Sequence, residues 1–590
     1  MFNTVFSRSI ITLWLWFGLS GLTLAQPSAS QQFNQLLDDI WQYELSISPL
    51  MASREGVAGY DDKLADISPQ ALAEQHNVWQ EYAAKLSAIP VDALSEEERI
   101  SLFMQQYRLN NIIDEYKFNA HYLPITSEYG FHSSLGNLPR TIRFRTKEDY
   151  QHYLARLAGV DEIIAQNIEY MKKGLAENYT QPKAVLKGFE DSVKPYLVKD
   201  AKESTFYTPF TSFPEQIDKP TRRALTQQAS DIIQNQVVPA YQQFYDFLVD
   251  DYIPNARDDI AAKNWPSGEA YYQNRIKHYT TTDMTAKEIH ELGLSEVKRI
   301  RSEMQSVVDE LGFDGTIDEF IHFLRTDPQF YATSAEDLLK EASFIAKKID
   351  GKLPQLFELL PRIPYGVAPV PESIAPKYTT GRYVSPSRDD QPGYYWVNTY
   401  ALDKRPLYAL TALTLHEAVP GHHIQISLAA EMTDLPKVRQ NTYISAFGEG
   451  WGLYSEYLGK EVGMYEDPYD EFGRLSYEMW RACRLVVDTG MHMFGWSREK
   501  ALNYMMTNTA LSEHNVTTEI DRYISWPAQA LSYKIGEIKI KALRKKAEEA
   551  LGSDFDVRKF HRAVLAHGSI PLFILEQNIN NFIDEQLAGK

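Results

Sequence analysis

The chain has 590 residues, a formal charge of −19, and 44% hydrophobic, 12% aromatic and 24% charged residues. That length exceeds one ordinary core and implies several domains or one large multi-lobed enzyme, while the apolar content excludes a disordered chain. An acidic balance with no clustered basic surface excludes a phosphate-backbone partner, so no nucleic acid is expected.

The first 25 residues, MFNTVFSRSIITLWLWFGLSGLTLA, carry Arg8, an apolar run from Ile10 to Leu24 and a small-x-small end. They read as a signal peptide over 1–25, cleaved after Ala25, which makes the mature chain periplasmic or secreted. No later segment holds roughly 18 consecutive apolar residues, so no stable membrane anchor is expected after cleavage. No cysteine follows the apolar run, so a lipid-anchored lipoprotein is not expected either. The only cysteine, Cys483, excludes an intramolecular disulfide and reads as a small buried hydrophobe.

Residues 26–265 form an N-terminal helical region, with apolar residues at three and four spacing in FNQLLDDIWQYEL and LTQQASDIIQNQVVPAYQQFYDFLVDDYI. Loops are expected at GVAGYDD, HYLPITSEYGFHSSLGNLPR and YTPFTSFPEQIDKP, where Gly, Pro, Ser and Asn gather. The C-terminal region, 266–590, opens with two helices over 288–311 and 334–349, capped by the Thr280–Asp283 run and Ser334. A proline-rich stretch over 354–376 cannot be continuous helix. In YYWVNTY, 394–400, aromatic and β-branched residues alternate, and this is the best strand candidate. From Arg405 onward the pattern is helical again.

The chemistry is concentrated in LHEAVPGHH, 415–423, which begins like the H-E-x-x-H helix of zinc proteases but has Pro420 where the second histidine belongs. In a straight helix, His422 is rotated about 240° from His416, and His423 lies about 10.5 Å along the axis, so neither shares a metal with it. Proline at 420 forbids a straight helix, because its ring clashes with the carbonyl of His416. The expected solution is a helix ending by Val419, a Pro-Gly bulge, and a second helix starting near His422. The bulge can return His422 to the face of His416, with His423 as the alternative. Three histidines within eight residues in an apolar stretch need compensation, and Zn2+ held by His416, His422 and Glu449 supplies it. Glu449 lies in SAFGEGWGLYSEYLG, 27 residues after His422, and Glu456 follows two turns later.

HEAVPGHHIQ, EGWGLYSE, RLVVDTGMHMFGWSREKA, SWPAQALSYKIG and FHRAVLAHGSIPLFILE together resemble the bacterial "domain of unknown function 885" family. The resemblance is strongest from about residue 380 onward. It implies a mainly α, large multi-helical zincin-like enzyme with a small β element at the cleft. That family is similar to gluzincin-type metallopeptidases in its H-E plus downstream-Glu arrangement.

Glu417 is the expected general base, as the glutamate after the first histidine is in zincins. Arg481, Arg484, Asp488 and His492 fall at helical spacing on one stripe. Asp488 is expected to orient His492, which then donates to an oxyanion, and Arg484 or Arg481 to bind a substrate carboxylate. Of Tyr523 and Tyr533, Tyr533 is the favoured phenol for the tetrahedral intermediate. YYWVNTY is expected to act as an edge strand for an extended peptide, with Asn398 as polar anchor. His561 and His567 are expected to be loop-packing residues. The whole predicts a zinc-dependent peptidase of short peptides. The alternatives are an inactive zincin-like peptide-binding protein of the cell envelope and a metal-dependent hydrolase of a non-peptide amide.

Overall fold

A computed structural model describes residues 28–372, 374–386 and 391–589, so the expected signal peptide lies outside the described residues. The protein is mainly helical, and the helices of eight or more residues are numbered in chain order. In the N-terminal region α1 (Ala29–Ile47), α2 (Pro69–Ser87) and α3 (Glu96–Lys117) surround a small core of their own, built on Phe33, Ile40, Trp79 and Leu109. Helices α4 (Lys147–Ala158), α5 (Val160–Ala176), α6 (Lys219–Ile232) and α7 (Val238–Phe247) follow. A π-helical turn over Ile233–Val237 joins α6 to α7 just before Pro239. The main apolar core runs from Ile100 to Ile583 and so passes through the boundary placed near residue 265. None of the described helices is long and apolar enough to cross a membrane.

The C-terminal region opens with α8 (Gly268–Thr280). Helix α9 (Ala286–Leu311) is capped by Thr285, whose side chain accepts from the Glu288 N–H while Glu288 reaches back, and not by the Thr280–Asp283 run. Helices α10 (Ile317–Thr326) and α11 (Ala335–Asp350) come next, and Ser334 caps α11 as expected.

Strands β1 (Tyr365–Pro369), β2 (Gly381–Val384) and β3 (Gly393–Val397) form a sheet of order β1-β3-β2. β1 is parallel and β2 antiparallel to β3, with Tyr365 opposite Gly393 and Tyr383 opposite Tyr395. YYWVNTY therefore does not offer an edge: β3 is the central strand, paired on both sides, and only its first half is strand. The edge nearest the candidate site is β2, which hydropathy alternation does not reveal in a four-residue segment.

The remaining helices are α12 (Leu410–Glu417), α13 (His422–Ala430), α14 (Ser445–Glu461), α15 (Pro468–Met493), α16 (Arg498–Asn508), α17 (Glu513–Ser525), α18 (Ser532–Leu551), α19 (Val557–Leu565) and α20 (Leu572–Ala588). α15 is the spine, buried continuously from Phe472 to His492. The predicted stripe lies on one face, and its two arginines pair with other helices. Arg481 meets Glu456 of α14 at 3.1 Å and Arg484 meets Glu519 of α17 at 3.0 Å. Cys483 is fully buried beside them and its thiol is pushed up by burial. His561 bonds Tyr454 and the Leu356 carbonyl, and His567 bonds Glu97, so both pack away from the site.

α14 and α18 approach so closely that side chains are excluded at the contact. A Cβ added at Gly450 would lie 2.5 Å from Gly536 Cα, and one added at Gly536 would lie 1.9 Å from the Ala446 carbonyl oxygen. Backbone atoms cannot rotate out of the way as a side-chain end can, so overpacking here is costly. Gly450→Ala is expected to lower unfolding free energy by about 3 kcal/mol, read from the urea midpoint. A change within about 0.5 kcal/mol, the range of an ordinary surface substitution, would contradict this packing.

Candidate metal centre

The chain breaks between α12 and α13. α12 stops at Glu417, Ala418 leaves the helix with φ −93 and ψ −112, the Val419-Pro420 bond is cis, and α13 begins at His422. Gly421 is required sterically, since a Cβ there would sit 1.9 Å from the His416 carbonyl oxygen. The two helices are re-joined by the His423 N–H donating to the Ala418 carbonyl at 3.0 Å.

This reversal brings His416 and His422 together, their ring centroids 4.8 Å apart and their planes nearly perpendicular at 85°. Glu449 from α14 completes the cluster. Its Oε2 lies 3.7 Å from His416 Nε2 and 3.5 Å from His422 Nε2, and one ligand atom from each of the three residues lies within 4.8 Å of the others. Gly452, one turn beyond Glu449, leaves room for the imidazole: a Cβ there would stand 2.6 Å from the His416 ring. Burial alone would raise the Glu449 carboxyl, but hydrogen bonds from both histidines hold it well below the usual carboxylate range.

Glu456 Oε1 lies 2.8 Å from His416 Nδ1 and 3.1 Å from Arg481, so the ring is oriented with Nε2 toward the cluster. This fixes Arg481 as a brace for a histidine, not a substrate anchor. His423 does not join the cluster. Its Nδ1 lies 3.0 Å from the Tyr383 hydroxyl and 3.2 Å from Ser427 Oγ, and burial lowers its pKa to about 4. Of the two histidines, His422 is thus the one that stands beside His416 and Glu449.

Glu417, partly exposed, accepts the Tyr383 N–H of β2 at 2.8 Å. The hydrogen bond ties the last residue of α12 to the sheet edge. Tyr533, at the start of α18, stacks at 6.4 Å on the His416 ring, and burial and then the Glu449 charge raise its phenol. Behind it, the Arg484 guanidinium lies 4.2 Å from the Tyr533 ring centre and 4.4 Å from that of Trp480. Arg484 Nε donates to the Tyr523 hydroxyl at 2.7 Å and Nη2 to Glu519, which also receives Arg522 at 3.0 Å. The expected carboxylate anchor is therefore buried behind Tyr533 and committed to internal partners.

Three further expected residues lie outside the cluster. His492 is fully buried, with Nδ1 accepting from the Ala262 N–H at 3.1 Å and Nε2 donating to the Tyr523 carbonyl at 3.0 Å. With both nitrogens taken by backbone it braces α15 against its neighbours and has no hydrogen left for an oxyanion. Asp488 does not orient it: its carboxylate takes the Tyr272 hydroxyl at 2.5 Å and the Ala528 N–H at 3.2 Å. Asn398 is also fully buried, its Nδ2 donating to the carbonyls of Ala375, Tyr378 and Thr379, so it holds the chain that leads into β2.

Tyr443 is a cleft residue that the sequence did not disclose. It is 49% exposed, yet its ring lies so close to Gly448 that a Cβ there would stand 2.2 Å from the hydroxyl. Desolvation of the hydroxyl where it meets Gly448, and then the Glu449 charge, push this phenol well above its ordinary value. The three glycines of FGEGWG thus have separate steric duties, toward Tyr443, α18 and His416. Across the cleft, the loop carrying Ser127 and Tyr129 rests on the end of α17. Ser127 Oγ lies 2.9 Å from Ser525 Oγ, and Tyr129 meets Trp526 edge-on at 6.4 Å.

Two solved structures share this architecture. One, from Colwellia psychrerythraea and described as a "putative lipoprotein", has 29% identity and a TM-score of 0.86, covering 95% of this chain and 100% of its own. The other, from Shewanella oneidensis and described as a "putative lipoprotein of unknown function", has 20% identity and a TM-score of 0.68, covering 94% and 99%, and speaks for the fold alone. No curated protein matches the chain. Residues 49–579 match the family described as bacterial protein of unknown function (DUF885), and the chain belongs to that family.

Proposed function

We propose that the protein is an exported, zinc-dependent peptidase of the gluzincin kind that hydrolyses short peptides. The observation that supports this most is the convergence of His416, His422 and Glu449 despite the proline and glycine between the histidines. The donor set fits zinc: two imidazoles and one carboxylate leave a further position open, and Glu456 orients the first imidazole as a metal-ligand histidine requires. His422 Nε2 faces Glu449 at 3.5 Å, while its Nδ1 is buried with no hydrogen-bond partner among the described residues, so that ring is held only from the cluster side. When bound there, zinc acts as a Lewis acid that polarises a peptide carbonyl and acidifies the attacking water.

The chain's own groups carry the proton and charge movements. Glu417 takes a proton from the attacking water and delivers it to the leaving amine nitrogen, while the Tyr383 N–H holds its second oxygen in place. Tyr533 donates a hydrogen bond to the carbonyl oxygen as that oxygen gains charge. Arg484 acts through Tyr533: two guanidiniums, Arg484 and Arg522, share one Glu519 carboxylate, and the excess positive charge lies under the phenol. Signal-directed export agrees with a periplasmic or secreted peptidase, and a cleft walled by loop and sheet suits short, unfolded peptides.

Metal analysis separates this reading from an inactive peptide-binding shell. Wild type purified without chelator is expected to carry about one zinc per chain, and His416→Ala almost none. Glu417→Gln is expected to keep its zinc and lose about 10²–10⁴-fold in turnover of a fluorogenic peptide library. Wild-type turnover in the Gln variant would contradict the base assignment, and a metal-free wild type would contradict the enzyme.

Zinc affinity carries a pH signature. In the metal-free protein, burial lowers the His416 pKa, but hydrogen bonds donated by the ring to Glu449 and Glu456 outweigh it and raise the value to about 9. Zinc must displace that proton, so affinity is expected to rise by about tenfold per pH unit from about pH 7 and to level off near pH 9. Calorimetry in buffers of different ionisation enthalpy reads the released proton, and an affinity flat over this range would contradict the coupling.

Substituting Arg484 by Met is expected to lower kcat by about tenfold with KM and zinc content little changed, and Lys is expected to restore part of the loss. Equal loss in Met and Lys variants would show that packing, not charge, is what Arg484 supplies.

A further inference from the structure

Substrate length selection needs a group that reads a chain end, and the buried arginines, the two expected to do so and Arg522, are engaged internally. Arg481 is committed to Glu456, Arg484 to Tyr523 and Glu519, and Arg522 to Gln529 and Glu519. Arg382 differs from all three. It is exposed, stands on the edge strand β2, and has no ion-pair partner among the described residues. Its guanidinium is steadied 5.7 Å above the Tyr378 ring, on the solvent side of the strand, while its neighbour Tyr383 turns inward.

The position on the strand decides what Arg382 can reach. The Tyr383 N–H is the donor that holds Glu417, so Arg382 is one residue, about 3.3 Å along the strand, from the group that handles the proton. Partial desolvation disfavours the Arg382 charge, but Tyr378 and then Glu417, Tyr533 and Glu449 more than compensate, in keeping with its place on the strand that holds Glu417. Glu128, whose carboxyl is raised chiefly by burial, forms no ion pair with Arg382 among the described residues.

We propose that Arg382 anchors the free carboxylate of the substrate, so that the enzyme acts on peptides close to their C-terminus. The proposal rests on the hydrolase reading and narrows it to one substrate class. A planar guanidinium fork matches a carboxylate in two parallel hydrogen bonds, and the side chain's position within one or two residues of Glu417 limits how far the scissile bond lies from that end. Carboxylates at Glu417, Glu449 and Glu128 would otherwise repel an incoming anion, and Arg382 is the exposed cation among them.

The test is binding of N-acetyl-dialanine and of its C-terminal amide to the zinc-loaded full chain, followed by calorimetry. Wild type is expected to bind the acid roughly tenfold or more tightly than the amide, as a hydrogen-bonded charge pair requires. Arg382→Ala is expected to reduce that preference to about twofold or less at unchanged zinc content and melting temperature, and Arg382→Lys to keep part of it. No binding, no preference in wild type, or a preference undiminished in Arg382→Ala overturns the proposal. A chain that takes up no zinc fails the hydrolase reading instead, and the same pair of ligands on the metal-free chain then decides the role of Arg382.

Discussion

Everything in the candidate site depends on a steric fact at Gly421, where the backbone passes so near the His416 carbonyl that no side chain fits. Pro420 ends α12 because it cannot continue the helix, and Gly421 lets the chain turn back against the turn it has just left. The two residues that break the histidine spacing of a zinc-protease helix are thus the ones that repair it in space. His422 arrives beside His416 because the bulge absorbs the residues that a straight helix would have spent on rotation.

A second set of glycines extends the same logic to the third member. Glu449 can stand between two buried imidazoles only because Gly450 lets α14 lie against α18, and Gly452 leaves space for the His416 ring. Small residues here serve close approach, with the carboxylate placed by backbone proximity and not by a flexible side chain reaching across a gap. The surrounding charges are then arranged in layers. Glu456 and Arg481 fix His416 from behind, and Glu519 with Arg484 and Arg522 backs Tyr533. Each carboxylate in these layers is buried with a cationic partner, which limits the cost of taking the charge out of water.

Much of this was legible in the sequence. The Pro-Gly break, the restart at His422 and the company of Glu449 follow from helix geometry and the known effects of proline. The polar stripe of α15 follows from spacing. Its meaning does not, because spacing says which residues share a face and not what the face meets. Asp488 and His492 are four apart and were expected to touch, yet each turns to a partner more than thirty residues away, Ala528 and Tyr523 among them. Asn398 misleads for a related reason: an asparagine after a strand can hold its own turn as readily as a ligand, and here its Oδ1 accepts the Tyr400 N–H. The strand order was beyond reach, since β1 lies in a proline-rich stretch and β2 has four residues, too few for alternation to speak. Tyr443 and Arg382 carry no local signal at all, and they become visible only once the fold closes around the cluster.

The most direct test of the account is anomalous diffraction at the zinc absorption edge from a crystal grown without chelator. The account predicts one strong peak about 2.0–2.2 Å from His416 Nε2, His422 Nε2 and a Glu449 oxygen, the distances typical of zinc with these donors. A peak bound through His423, or no peak between the two imidazoles in protein shown to contain zinc, would contradict it.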